Sequence, residues 1–451
     1  MKGEHKRRAV ELCKDVLILL LTCSALWLAA RTQLLAPLNN LLQEDGPQAV
    51  ASHDQEGEQA GSAVPLIMVI NIPGGESLPD GTQLPSEGKG IRMGIACDQQ
   101  TCQELFQQTA AVLIETFSGA GTPEKISRSR WEQALTQELG LYMDFQGRIP
   151  MSVLAAWLSG EETHLTGSVR RMVLAAEEDT MVLYYRNEES GDYYRCESSM
   201  GDPAALKEVL SAASDNGAFY AFESEEYGTL APDTLLFPDS PSPSVYTVSN
   251  PVNAGEDSLR ELVQDLGFSL NSTNFYPTDE WVARSGDDSV RLSDRGTVEY
   301  TSGDDNGILP VLQQEKGGTV YSSVETCRRV AAAMMSGRCG EARLYLSAVN
   351  QGEDGLEVEF EYSLNGVPVC LDEGCAARFL VLDGRIAQFT IRLRSYAAGG
   401  SSSAVMPPKQ ALAAFSALNL EGQELLLTYT DSGGDTVTAG WAAREEAVGE
   451  E

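Results

Sequence analysis

The chain has 451 residues, an ordinary 42% hydrophobic content and a formal net charge of −34 at pH 7. Phosphates would be repelled by so acidic a chain, which argues against nucleic acid as a partner and against lying flat on an anionic membrane. Its length leaves room for roughly two to four domains after an N-terminal segment of different character.

That segment comes first in the chain. Residues 1–15 are a basic tail carrying Lys2, Lys6, Arg7, Arg8 and Lys14. The long uncharged run Val16–Ala30 follows, with Val16, Leu17, Ile18, Leu19, Leu20, Leu21, Leu26, Trp27 and Leu28 supplying its apolar length. As a helix it reaches about 22 Å, short of a ~30 Å hydrocarbon core. Lys14 and Arg31 can snorkel, Trp27 suits an interface, and Leu34 and Leu35 extend the span, so residues 16–35 read as a membrane anchor. A cleaved signal peptide fits less well: cutting after Cys23-x-Ala25 leaves too short an apolar region, and later sites put Trp27 or Leu28 at −3. The charge asymmetry places the N-terminus in the cytoplasm and the bulk of the chain outside the cell membrane. Thr22, Ala25 and Ala29 fall near one helical face at three- and four-residue spacing, a candidate helix–helix contact.

Residues 36–63 read as a flexible stalk, rich in Gly, Glu, Gln and Ser without periodicity. Residues 64–238 read as an α+β domain. Strands are expected at Val64–Ile72 and Ile91–Cys97. Helices follow at Thr101–Phe117, at Arg128–Leu139 with Ser127 as N-cap, and at Met151–Leu158. A meander over Arg171–Ala176, Met181–Arg186 and Asp192–Cys196 precedes a closing helix at Pro203–Ala213. Pro- and Ser-rich Asp239–Pro243 marks a boundary.

A small middle domain, 256–308, has a helix at Ser258–Leu266 and a hairpin turning at Asp294-Arg295-Gly296. Residues 309–444 read as a third α+β domain. Ser322 or Ser323 would cap a helix over Val324–Met335. Strands are expected at Arg343–Val349, Leu356–Leu364, Ala377–Leu382 and Arg385–Ser395, then a loop at Ala398–Met406. A proline-led helix at Pro407–Leu418 and a hairpin of Glu424–Thr430 with Asp435–Trp441 end the domain, a helix-on-sheet plan that looks duplicated.

Nine cysteines and three histidines limit the chemistry. Cys97/Cys102 and Cys370/Cys375 share C-x4-C spacing, but there are too few histidines to complete a zinc site. Cys370 and Cys375 flank a tight loop and could close a disulfide. Cys97, Cys102, Cys327 and Cys339 are left open between thiol and disulfide, and Cys196 is expected to be a buried thiol. G-x-S-x-G, H-E-x-x-H, a phosphate loop and a dinucleotide fingerprint are all missing, so no catalytic, metal or cofactor residue and no small-molecule substrate is assigned. His164, in a Gly-flanked loop after Glu161-Glu162, reads as a solvated residue and not as a general base.

Several stretches carry a resemblance: LGF at Leu266–Phe268, the Val290–Tyr300 hairpin, EYSLNGVPV at Glu361–Val369, LDGRIAQF at Leu382–Phe389, and RSY at Arg394–Tyr396. With a short basic tail, one anchor and an outer α+β chain, they resemble the YycH/YycI group of Gram-positive bacteria. The resemblance implies a non-enzymatic accessory protein that regulates a two-component sensor histidine kinase, with that kinase or a paralogous accessory protein as partner. Helix-on-antiparallel-sheet repeats also resemble PepSY domains, which implies the alternative of an envelope binding or peptidase-inhibitory module.

Overall fold

In the computed structural model the described residues are 62–79, 81–86, 90–303, 309, 311 and 318–445. The expectations for the tail, the anchor (with Thr22, Ala25 and Ala29) and nearly all of the stalk lie outside them. Among the described residues no helix is long and apolar enough to cross a membrane.

The first sheet comprises β1 (Ile67–Ile72), β2 (Ile91–Ile95), β3 (Glu124–Ile126), β4 (Leu139–Pro150), β5 (Ser168–Glu177), β6 (Thr180–Asn187) and β7 (Tyr193–Glu197). It is antiparallel, in the order β2-β1-β4-β5-β6-β7-β3. Helices α1 (Gln99–Ser118), α3 (Met151–Ser159) and α4 (Pro203–Leu210) bury one of its faces around Met68, Leu141, Met172 and Leu183. Helix α2 (Arg128–Thr136) covers the other through Trp131 and Leu135, packed on Val69, Tyr142, Val173 and Tyr184. A sheet covered on both sides has no polar face, so its central strands carry no alternation. For this reason β4 escapes a periodicity search, although it lies at the middle of the sheet. Two helix starts follow capping chemistry: Asp98 accepts from the Thr101 amide at 3.1 Å, and Ser127 from that of Arg130 at 3.3 Å.

The second half begins with the short pair β8 (Phe219–Tyr220) and β9 (Leu235–Leu236), then β10 (Ser244–Ser249) and α5 (Glu256–Asp265). Next come β11 (Asn274–Pro277), β12 (Trp281–Ser285), β13 (Asp288–Leu292), β14 (Thr297–Thr301) and α6 (Gly318–Met335). The chain goes on through β15 (Arg343–Gly352), β16 (Gly355–Leu364), β17 (Val367–Leu371), β18 (Ala377–Leu382), β19 (Arg385–Arg392) and β20 (Ser395–Ser402). It closes with α7 (Pro408–Ala417), β21 (Glu424–Asp431), β22 (Thr436–Val437) and β23 (Ala439–Arg444). An eleven-stranded sheet runs β11-β12-β13-β14-β19-β18-β16-β17-β21-β23, with β15 also on β16.

The architecture is therefore α+β, with seven α-helices among the described residues. The hairpin at Asp294-Arg295-Gly296 forms as expected, but its second strand pairs with β19, so the strands of the middle segment belong to the large C-terminal sheet. The duplicated plan does not appear as two separate sheets: β21 joins the same sheet through a parallel ladder with β17. Two local readings are corrected. Helix α6 starts at Gly318, so Ser322 and Ser323 lie inside it; there Ser323 bonds back to the Thr319 carbonyl and Thr326 to that of Ser322, as buried hydroxyls in helices do. Ala398–Ser402, expected as loop, belongs to β20, which pairs with β10.

Helices α5 and α6 cover one face of the large sheet, and α6 packs on α3. Trp157 of α3 donates its indole N–H to the buried Glu325 of α6 at 3.3 Å. The two helix-covered faces thus meet in one continuous core.

Candidate functional site

Arg170 and Arg171 sit side by side within the apolar run of β5, and both are buried. Their partners come from distant parts of the chain. Arg170 donates to Asp144 of β4 at 3.0 and 2.9 Å, and to Glu424 of β21 at 2.7 and 2.9 Å. Arg171 reaches Glu424 at 2.9 Å and Asp233 at 3.4 Å. Asp233 also accepts from the Trp131 indole at 3.3 Å. Arg444 closes the group by donating to the Gln146 side chain at 3.0 Å and its carbonyl at 3.2 Å. Arg170 and Arg171 between them form ion pairs with all three carboxylates, and pairing of this kind is the condition for keeping charge in a core.

The local backbone prepares this arrangement. β4 breaks register against β5 between Asp144 and Ile149, and Gln146 takes a left-handed φ of 62°. The bulge turns the Gln146 amide onto the Asp144 carboxylate at 2.7 Å. Just beyond it, Gly147 packs so closely on β15 that a Cβ there would lie 1.8 Å from the Leu346 carbonyl oxygen. Burial alone would raise the Glu424 carboxyl, but the Arg170 and Arg171 guanidiniums outweigh it and hold the group well below the usual carboxylate range.

Above this cluster opens a cleft of about 360 Å³. Tyr142, Asp144 and Gln146 of β4 contribute to its lining, with Ala96 and Cys97 after β2, Gly366–Pro368, Leu425–Leu427, Trp441, and Phe237–Pro241. The β16–β17 hairpin turns at Asn365-Gly366 with φ values of 51° and 83°, a two-residue turn that calls for this Asn-Gly pair. Its tip docks on the N-terminal half: Asn365 accepts from the Gln99 amide at 3.0 Å and donates to the Cys97 carbonyl at 2.5 Å. The hairpin side chain thereby satisfies an amide in the first turn of α1.

The cysteines are thiols here. Cys370 is exposed and Cys375 is buried with its Sγ 3.5 Å from the Ala377 carbonyl, so the bridge expected between them is not formed. Cys370 lies in β17 opposite Thr430, whereas Cys375 faces the protein interior after the turn. Cys97, Cys102, Cys196, Cys327 and Cys339 are also free, Cys196 buried as its strand position suggests. Loss of solvent pushes the Cys97, Cys102 and Cys196 thiols up to about 12, which leaves them poor nucleophiles near neutral pH. His164 is exposed, with a ring nitrogen 3.0 Å from the Gly121 carbonyl oxygen. No group of three or more His, Cys, Asp and Glu side chains that could hold a metal ion occurs among the described residues.

Neither the charge cluster nor the cleft was assigned from sequence. The available signal was Arg170-Arg171 inside SVRRMVLAA and Asp144 inside LYMDF, since charges within buried-strand runs require buried partners. No protein-family profile matches the chain, and no curated protein matches it in sequence. One solved structure does match, the crystal structure of YycH from Bacillus subtilis, with a TM-score of 0.53 at 10% sequence identity. The match covers 89% of this chain and 97% of that one, so the two are similar in fold over most of their lengths.

Proposed function

We propose that this protein is a membrane-anchored, extracytoplasmic accessory protein that regulates a two-component sensor histidine kinase through protein–protein contact. The observation that carries this reading is the YycH-like fold spanning 89% of the chain. It is supported by the cytoplasmic-tail, anchor and stalk pattern of residues 1–63, which positions the folded part beside the outer portion of a membrane-bound sensor. The thiols described above are held in their neutral form, and the buried carboxylates are already paired with arginines, a constellation built for structure and docking and not for acid–base chemistry. In this reading the protein is not an enzyme, and the kinase or a paralogous accessory protein is its partner. The PepSY-type alternative, an envelope binding or inhibitory module, draws only on the helix-on-antiparallel-sheet layers.

Deleting the gene and following transcription controlled by the cell's envelope-stress sensor kinase tests the proposal. A changed output, restored by the full-length chain, is expected. Unchanged output in the deletion strain under envelope stress would contradict it.

A further inference from the structure

We infer that the cleft above the charge cluster is a strand-addition site, which takes an extended, net-cationic peptide segment of a partner protein. The backbone around it gives the main reason. β17 and β21 run parallel but pair only over Val369–Leu371 and Tyr429–Asp431. Toward their N-terminal ends the ladder stops, and Gly366–Pro368 and Leu425–Leu427 both line the cleft.

Side chains of consecutive strand residues point to opposite faces, so three in a row can meet one cavity only along the strand's edge. Leu425–Leu427 are paired with β23 on one flank, and among the described residues no strand pairs with them on the other. Alternate N–H and C=O groups on such a flank offer the pattern that an added strand completes. A neighbouring edge shows the same demand being met by a side chain. At Gly94 of the outer strand β2, the Asn216 amide accepts from the backbone N–H at 3.0 Å and donates to the carbonyl at 2.7 Å.

The chemistry of the lining selects the occupant. Asp144, Asp233, Asp239 and Glu424 line the cleft, and no Lys, Arg or His does. The inner three are saturated by Arg170, Arg171 and their neighbours, so they do not need a ligand's charge. Asp239 is exposed at the rim and favours a basic residue there. Phe237 and Trp441 supply apolar surface for alternate side chains. A small organic cation would find the inner carboxylates already occupied, whereas an extended chain would use the open edge.

This inference deepens the proposed function without resting on it, because peptide capture can be measured with no kinase present. The test is a phage library of random dodecapeptides panned on the full-length chain in detergent micelles. Enriched sequences are expected to alternate apolar residues with Lys or Arg. A synthetic winner should weaken about tenfold on Asp239→Arg and lose binding when its alternate amides are N-methylated. No enrichment above the bare support, or binding that survives either change, overturns the inference.

Discussion

Glu424, the first residue of a C-terminal strand, receives both terminal nitrogens of Arg170 from the N-terminal sheet, at 2.7 and 2.9 Å. The two residues are 254 positions apart, and both are buried. This contact ties the two sheets together beneath the cleft, so the shape of the cleft depends on it.

Removing one partner should therefore cost more than the contact itself contributes, because a buried charge is left unpaired. Arg170→Ala is expected to destabilise the folded region by ~3–5 kcal/mol. Urea unfolding checks this, and a double-mutant cycle with Glu424→Gln should show strong coupling. Additive effects would mean that the pair is not energetically joined.

The pH dependence follows from the depressed Glu424 carboxyl. Its folded pKa lies below the unfolded value of ~4.3, so its contribution is complete above that range and is lost as pH falls toward the folded value. The stability gap between wild type and Glu424→Gln should hold steady from pH 8 to about 5 and close only in stronger acid. A gap that stays constant to pH 2 would contradict the assignment.

Gly147 tests the second junction between the sheets. A Cβ at this position meets the Leu346 backbone, so Gly147→Ala must push β4 and β15 apart. A loss of roughly 1–3 kcal/mol is expected, in the range of overpacked cores. A neutral substitution would show that the approach of the two strands is looser than described.

The thiols give a chemical check. In the native protein, iodoacetamide should label the exposed Cys370 ahead of the others, though slowly because lost solvent raises its thiol too, whereas Cys102, Cys196 and Cys327 should react only in denaturant. Peptide mapping separates the sites. A Cys370–Cys375 peptide joined under non-reducing conditions would restore the bridge that the spacing suggests.

Much of the fold was legible wherever one face of an element met water. Helix α1 announces itself by Phe106, Leu113 and Phe117 on one stripe, and Ser127 marks the start of α2. Leu356–Leu364 alternates between buried and half-buried residues, whereas Met181–Arg186, buried on both faces, was legible only through the turns that flank it. β4 was invisible because α-helices and loops bury both of its faces, and the pairing of β14 with β19 across a long sequence gap leaves no local trace. The cleft was hidden for the same reason: it forms where segments far apart in the chain converge, and only Arg170-Arg171 and Asp144 hint at it as charges in apolar runs.

The anchor carries its own prediction. If the face of Thr22, Ala25 and Ala29 packs on a partner helix, Ala25→Leu with Ala29→Leu should preserve insertion yet weaken partner pairing. Transcription that is unchanged after replacing the whole of Val16–Ala30 with an unrelated anchor would assign the function to the outer domains alone.

Direct contact with a kinase is the centre of the account, and it can be measured by purifying the tagged full-length chain from membranes after mild cross-linking. The account predicts that a sensor histidine kinase is recovered with it, and that the yield falls when residues 64–444 are removed. Recovery of the chain with no kinase, in cells where that kinase is abundant, would contradict it.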